Sequence, residues 1–138
     1  MSPDIVLDTN VLVAGVRSRR GRAFEVLSLV GTGRFTIHVS VPLMLEYEAA
    51  LRQQTPASPP VIDALLDYHC AVGQRHRIFF LWRPYLADPQ DDMVLEVAVT
   101  GQCEHIVTYN TRDFAGSERF GVQALRPDEF LTQIGAIS

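Results

Sequence analysis

The feature that most constrains this chain is a short apolar run that ends in polar chemistry, Asp4-Ile5-Val6-Leu7-Asp8-Thr9-Asn10. Ile5, Val6 and Leu7 read as a buried strand, and the apolar pattern continues through Val16 without a proline. A carboxylate at the end of a buried strand projects into the crevice where open α/β sheets bind their ligands. Burying it costs several kcal/mol unless something offsets the charge. No Lys or Arg lies within the eight residues after Asp8. Asp8 is therefore either a plain helix cap or one member of an acidic group assembled from distant parts of the chain.

The rest of the chain alternates strand and helix patterns. Asp8 or Thr9 caps a short helix to about Val16, and Arg17-Ser18-Arg19-Arg20-Gly21-Arg22 forms a basic loop. Ala23 to Val30 has helical spacing and stops at Gly31-Thr32-Gly33. Phe35 to Val39 reads as the second strand; Ser40 and Pro42 then open a helix whose apolar face includes Leu43, Tyr47 and Leu51. After the break Thr55-Pro56-Ala57-Ser58-Pro59-Pro60 another helix covers 61–72. Ile78 to Trp82 is a strand or a buried segment. Asp88-Pro89-Gln90-Asp91-Asp92 is an acidic turn leading into a helix that Gly101 stops. His105 to Thr108 and Val122 to Leu125 complete the strands, and Pro127 opens a closing helix. This alternation predicts one α/β domain over residues 1–138, a parallel sheet with helices on both faces. Right-handed crossovers then bring every strand's C-terminal end to one edge.

Composition removes several functions. All twelve basic residues are Arg, so Schiff-base chemistry and a lysine-dependent phosphate loop are excluded. Cys70 and Cys103 are too few for a zinc ribbon and fit reduced thiols in a cytoplasmic protein. No signal peptide or membrane span is expected. The net charge of −4 gives no general affinity for nucleic acid.

Along the C-terminal edge the topology gathers acids. Asp8 ends the first strand, and Asp113 follows the His105–Thr108 strand by a short loop. Asp91 and Asp92 begin the helix before that strand, and Glu46 and Glu48 lie early in the helix after the second strand. Periodicity does not choose between Asp91 and Asp92, or between Glu46 and Glu48. Each acid alone has a simpler reading as a cap, a turn residue or a solvated charge. Together they suit a hard divalent cation, Mg²⁺ or Mn²⁺, of the kind that cleaves phosphodiesters. Thr9, Asn10, Thr108 and Asn110 flank this edge as secondary candidates or as turn residues. Arg17, Arg19, Arg20, Arg22 and Arg112 are candidate phosphate contacts, against a solvated loop or a salt bridge as the simpler alternatives. His38, His69, His76 and His105 have no metal-ligand spacing, and Trp82 and Phe114 read as core.

These stretches resemble the PIN domain family of metal-dependent nucleases. Val6-Leu7-Asp8-Thr9-Asn10-Val11-Leu12 resembles that family's opening, and Leu45-Glu46-Tyr47 its second acidic motif. Asp88 to Ala98 resembles the third motif and Ile106 to Phe114 the fourth, so the resemblance runs essentially end to end. It implies a three-layer α/β/α fold with a five-stranded parallel sheet in 3-2-1-4-5 order. It selects Asp8, Glu46, Asp91 and Asp113 as the catalytic set, with Asp8, Asp91 and Asp113 as metal ligands and Asp92 secondary. Asn110 departs from the pattern, standing where many relatives carry an Asp, which puts a second metal in question. The resemblance further implies a ribonuclease toxin of a type II toxin–antitoxin pair, with an RNA substrate, a cognate antitoxin and a homodimeric state. A catalytically inactive PIN-like module that binds protein is the alternative. A receiver domain would need a Lys, and a haloacid-dehalogenase-type phosphotransferase an Asp-x-Asp where Asp8 is followed by Thr9-Asn10.

Overall fold

The protein is described by a computed structural model covering residues 2–77, 86 and 88–138. Ile5, Val6 and Leu7 are buried completely or nearly so on both faces, which makes the first strand, β1 (Asp4–Leu7), the centre of the sheet. Around it lie β2 (Thr36–Ser40), β3 (Gln74–His76), β4 (His105–Val107) and β5 (Gln123–Leu125). All pairings are parallel and the order is β3-β2-β1-β4-β5. The apolar run 78–82, expected as a strand or buried segment, lies outside the described residues. The described third strand is the polar stretch just before it.

Parallel strands need crossovers, and the helices supply them: α1 (Thr9–Arg17), α2 (Arg22–Leu29), α3 (Val41–Gln54), α4 (Pro59–Val72), α5 (Pro89–Thr100) and α6 (Pro127–Gln133). The α5 helix crosses β1, β2 and β4, while α1 packs on α2 and α3, and α2 meets α6. The result is a three-layer α/β/α arrangement with one continuous apolar core. Helix starts follow the sequence chemistry. Ser40 Oγ accepts the Leu43 N–H at 3.2 Å, with Pro42 in the first turn of α3. Asp88 Oδ1 accepts the Gln90 N–H at 2.9 Å, with Pro89 opening α5.

The two ends of the sheet are held differently. β1 stays in register with β4 to its end, pairing Leu7 with Val107, but with β2 only through Ile5↔Ile37. Beyond that point β2 runs on beside β3. The sheet therefore loosens on the β2 side of β1 at its C-terminal end. There the buried Tyr47 reaches from α3 and donates its hydroxyl to the Leu7 carbonyl. At the other end of the sheet, His38 stands between Asp4 (2.9 Å) and His76 (2.7 Å), tying β1, β2 and β3 together. Gly101 makes room for this contact, since a Cβ there would meet His38 Nδ1 at 2.5 Å.

The Ser40 cap is buried, so removing it leaves a helix N–H without a partner. Ser40→Ala is expected to cost about 1 kcal/mol or slightly more, seen as a drop of roughly 3–5 °C in thermal melts.

Candidate active site

The crevice of an open α/β sheet forms where neighbouring crossovers run in opposite directions, here at the end of β1 between β2 and β4. A cleft of about 200 Å³ opens at that point, lined by Asp8, Asn10, Glu46, Asp88, Asp91 and Asp113, together with Thr9, Val13, Gln54, Gln90 and Asn110.

Asp8 is the buried member. Its backbone N–H continues the ladder to the Val107 carbonyl at 2.9 Å. One carboxylate oxygen accepts the Thr9 N–H and the other the Thr108 hydroxyl, both at 2.8 Å. Thr108 is fully buried, and its Oγ1 also accepts the Asn110 N–H at 3.0 Å. Asn10 Oδ1 accepts the Tyr109 N–H at 3.2 Å. The loop after β4 is thus stitched to the start of α1 through Thr108 and Asn10, and among the described residues Asp8 is held by neutral donors only. Burial raises its pKa; the Thr108 and Thr9 hydrogen bonds lower it again in part, and the charges of Asp113 and Asp88 add to the rise.

The other acids come from separate elements. Glu46 lies on the second turn of α3, and its Oε2 accepts the Gln90 side-chain N–H at 3.3 Å. Burial and the nearby Asp8 and Asp88 raise its pKa. Asp91, in the first turn of α5, is pushed up to about 7, by burial first and then by Asp8, Asp88, Asp113 and Asp92. Asp113 sits in the 3-10 turn Thr111–Phe114 and is exposed.

The pairs that periodicity left open separate in space. Glu46 lines the cleft, whereas Glu48 turns away to an ion pair with Arg52 at 2.8 Å. Asp91 lines the cleft, whereas Asp92 is buried with Oδ1 accepting the Leu86 N–H at 2.8 Å. Thr108 acts on the cleft through Asp8 rather than by lining it. Asp88, Gln90 and Gln54 also face the cleft, and the sequence pattern does not single them out. Asp88 does carry a signal: an Asp directly before a helix-opening Pro is an N-cap, and this N-cap lies on the acidic edge.

None of the candidate arginines lines the cleft. Arg17, Arg19 and Arg20 are exposed at and beyond the far end of α1, about 13 Å along a nine-residue helix. Arg22 pairs with Glu25 at 2.7 Å. Arg112 is exposed beside Asp113. Phe114 is core, while Tyr68 is partly exposed and donates its hydroxyl to the Val30 carbonyl.

The donor set consists of oxygens, and burial followed by neighbouring carboxylates raises the pKa of Asp8, Glu46 and Asp91, which is the environment a hard divalent cation relieves. Among the described residues no three His, Cys, Asp or Glu side chains already enclose a metal position.

A model of the PIN domain matches residues 4–112. The chain belongs to the PIN domain family, whose members are generally nucleases. Among solved structures it is similar to a chain of VapBC2 from Rickettsia felis, in a complex bound to a DNA fragment from their promoter. The TM-score is 0.58 at 14% identity, covering 89% of this chain and 98% of that one. At that identity the likeness is one of fold. No curated protein matches the sequence.

The raised acids have a pH signature. The folded state holds a proton on Asp91 up to about pH 7, while the unfolded chain releases it near 3.8. Between those values the folded state binds more protons, so this contribution to stability falls as pH rises. Burial lowers His69 to about 4, and His76 and His105 also shift down, so these act in the opposite sense. The difference between proteins is therefore diagnostic. Without divalent ions, the Tm of the wild type is expected to fall relative to Asp91→Asn as pH goes from 4.5 to 7.5 (about three decades in proton activity). Parallel Tm profiles would contradict the raised Asp91 pKa.

Proposed function

We propose that the chain is a divalent-cation-dependent endoribonuclease acting as the toxin of a type II toxin–antitoxin pair. The observation that carries this is the convergence of Asp8, Glu46, Asp91 and Asp113 from four elements into one cleft, with no arginine among the described residues that line it. Asp8, Asp91 and Asp113 would hold Mg²⁺ or Mn²⁺, and Glu46 would bind it directly or through water. Bound there, the ion supplies Lewis-acid activation and offsets the charge that develops on a phosphodiester during hydrolysis. Thr108 keeps Asp8 oriented from behind, and Gln90 steadies Glu46. Asn110 presents a neutral amide at the cleft, able to donate to a phosphate oxygen without adding charge.

A narrow acidic cleft favours single-stranded or loop RNA, whose backbone can enter without a duplex partner. Arg112 would meet phosphate nearest the scissile bond. Arg17, Arg19, Arg20 and Arg22 would meet phosphates farther along the strand. The solved neighbour is a VapBC2 complex, which supports a cognate antitoxin for this chain. We further propose a homodimeric state and a cytoplasmic location. Among the described residues no helix is long and apolar enough to cross a membrane.

A second reading, an inactive protein-binding PIN-like domain, draws on the uncharged Asn110. One experiment separates them. Mn²⁺ at 100-fold over its Kd should add about 2.7 kcal/mol of stability to the wild type, and Asp8→Asn should lose both that shift and RNA cleavage, the latter by about 100-fold or more. Absence of a Mn²⁺ shift in the wild type, with RNA cleavage indifferent to Asp8 and Asp91, would leave the binding module standing.

A further inference from the structure

Tyr47 is buried, with 1% of its surface accessible, yet it carries a hydroxyl into the core. That hydroxyl donates to the Leu7 carbonyl, forty residues away in sequence. The contact sits where β1 has left its register with β2, so it substitutes for sheet pairing at the end of the strand. The two residues it joins are the immediate neighbours of two cleft acids: Leu7 precedes Asp8, and Glu46 precedes Tyr47. Tyr47 packs inward while Glu46, about 100° away around α3, faces the cleft.

Helix packing, including that of α1 on α3, brings the two elements together, and hydrogen bonds fix the side chains within it. Asp8 is fixed on the β4 side, by the Val107 carbonyl and by Thr108. Glu46 is fixed on the α5 side, by an exposed 3.3 Å contact from Gln90. Among the described residues, the buried Tyr47 contact is the direct hydrogen bond between the strand that leads to Asp8 and the helix that carries Glu46.

We propose that Tyr47 is a positioning residue: its hydroxyl, anchored on the Leu7 carbonyl, sets the separation of Asp8 and Glu46 and so the affinity of the cleft for its divalent cation. This inference rests on the reading of the cleft as a cation site. The ring alone would fill the core equally well as Phe, so the hydroxyl is the part with this role.

The test is a double-mutant cycle on Mn²⁺ affinity, measured by calorimetry on the full chain well below the melting temperature. Tyr47→Phe should weaken Mn²⁺ binding by about 5- to 10-fold, at or just below the range for losing a group that orients a metal ligand. In a Glu46→Gln background the same change should have less than about a 2-fold effect, because the residue it acts through is gone. Ser40→Ala destabilises the same helix at its cap without touching Leu7, and should leave Mn²⁺ affinity within about 2-fold of wild type. If Tyr47→Phe is poorly folded, trimethylamine N-oxide restores compaction but not the hydroxyl, and the affinity loss should persist. Unchanged affinity in Tyr47→Phe, or equal losses with and without Glu46, would overturn the proposal. A wild type that binds no Mn²⁺ would instead overturn the cation-site reading and this inference with it.

Discussion

The structure depends on the cost of one buried carboxylate. Asp8 follows three residues that are almost wholly enclosed and is itself buried, so its charge has little access to solvent. A buried carboxylate is normally met by a cation or becomes protonated. Here its hydrogen-bond partners are the Thr9 amide and the Thr108 hydroxyl, which satisfy its oxygens but leave its charge. Neighbouring elements then add charge of the same sign. Glu46, Asp88, Asp91 and Asp113 all face the same cleft, and Asp91 is raised to about 7 by burial first and by these charges after it. Such an arrangement is under stress without a counterion, and stress of that kind marks functional sites more often than structural ones.

The fold reduces the stress without removing it. In a parallel sheet, strand C-termini lead into helix N-termini, so α1 and α5 both point their positive dipole ends toward the cleft. Asp8 lies just before α1, Asp88 caps α5 and Asp91 is in its first turn. The same side chains therefore serve as helix caps and as cleft walls. This is why each acid, taken alone, has a sufficient structural explanation, and why only their shared location points to chemistry.

Much of this is legible in the sequence, and the reasons differ by residue. Ile5–Leu7 and His105–Val107 are readable because central parallel strands are continuously apolar. Ser40 with Pro42, and Pro127, mark helix starts through capping chemistry. Gln74–His76 is not readable as a strand: it is short and polar, and the apolar run after it has the stronger strand pattern. Glu46 and Glu48, like Asp91 and Asp92, cannot be ranked by spacing. What separates them differs by pair: Glu48 is taken by Arg52 one turn on in the same helix, and Asp92 by the Leu86 amide, which reaches it only once the chain before α5 is in place. Tyr47 looks like an ordinary apolar-face residue, because its hydroxyl finds its partner only once α3 lies over β1.

Asn110 separates the support of the cleft from its charge. Its side chain is neutral, so the turn after β4 brings a single carboxylate, Asp113, to the cleft. Asp88, however, enters the same cleft from the N-cap of α5, and it raises the pKa of Asp8, Glu46 and Asp91 together. Five carboxylates, those of Asp8, Glu46, Asp88, Asp91 and Asp113, line the cleft, two of them from the start of α5. The backbone N–H of Asn110 bonds Thr108, so the support behind Asp8 does not depend on the side chain at 110. The support of the buried carboxylate and the number of exposed ones are therefore separable properties of this site. Only the first is fixed by the core, while the second is set by loop and cap residues that can change without disturbing the sheet.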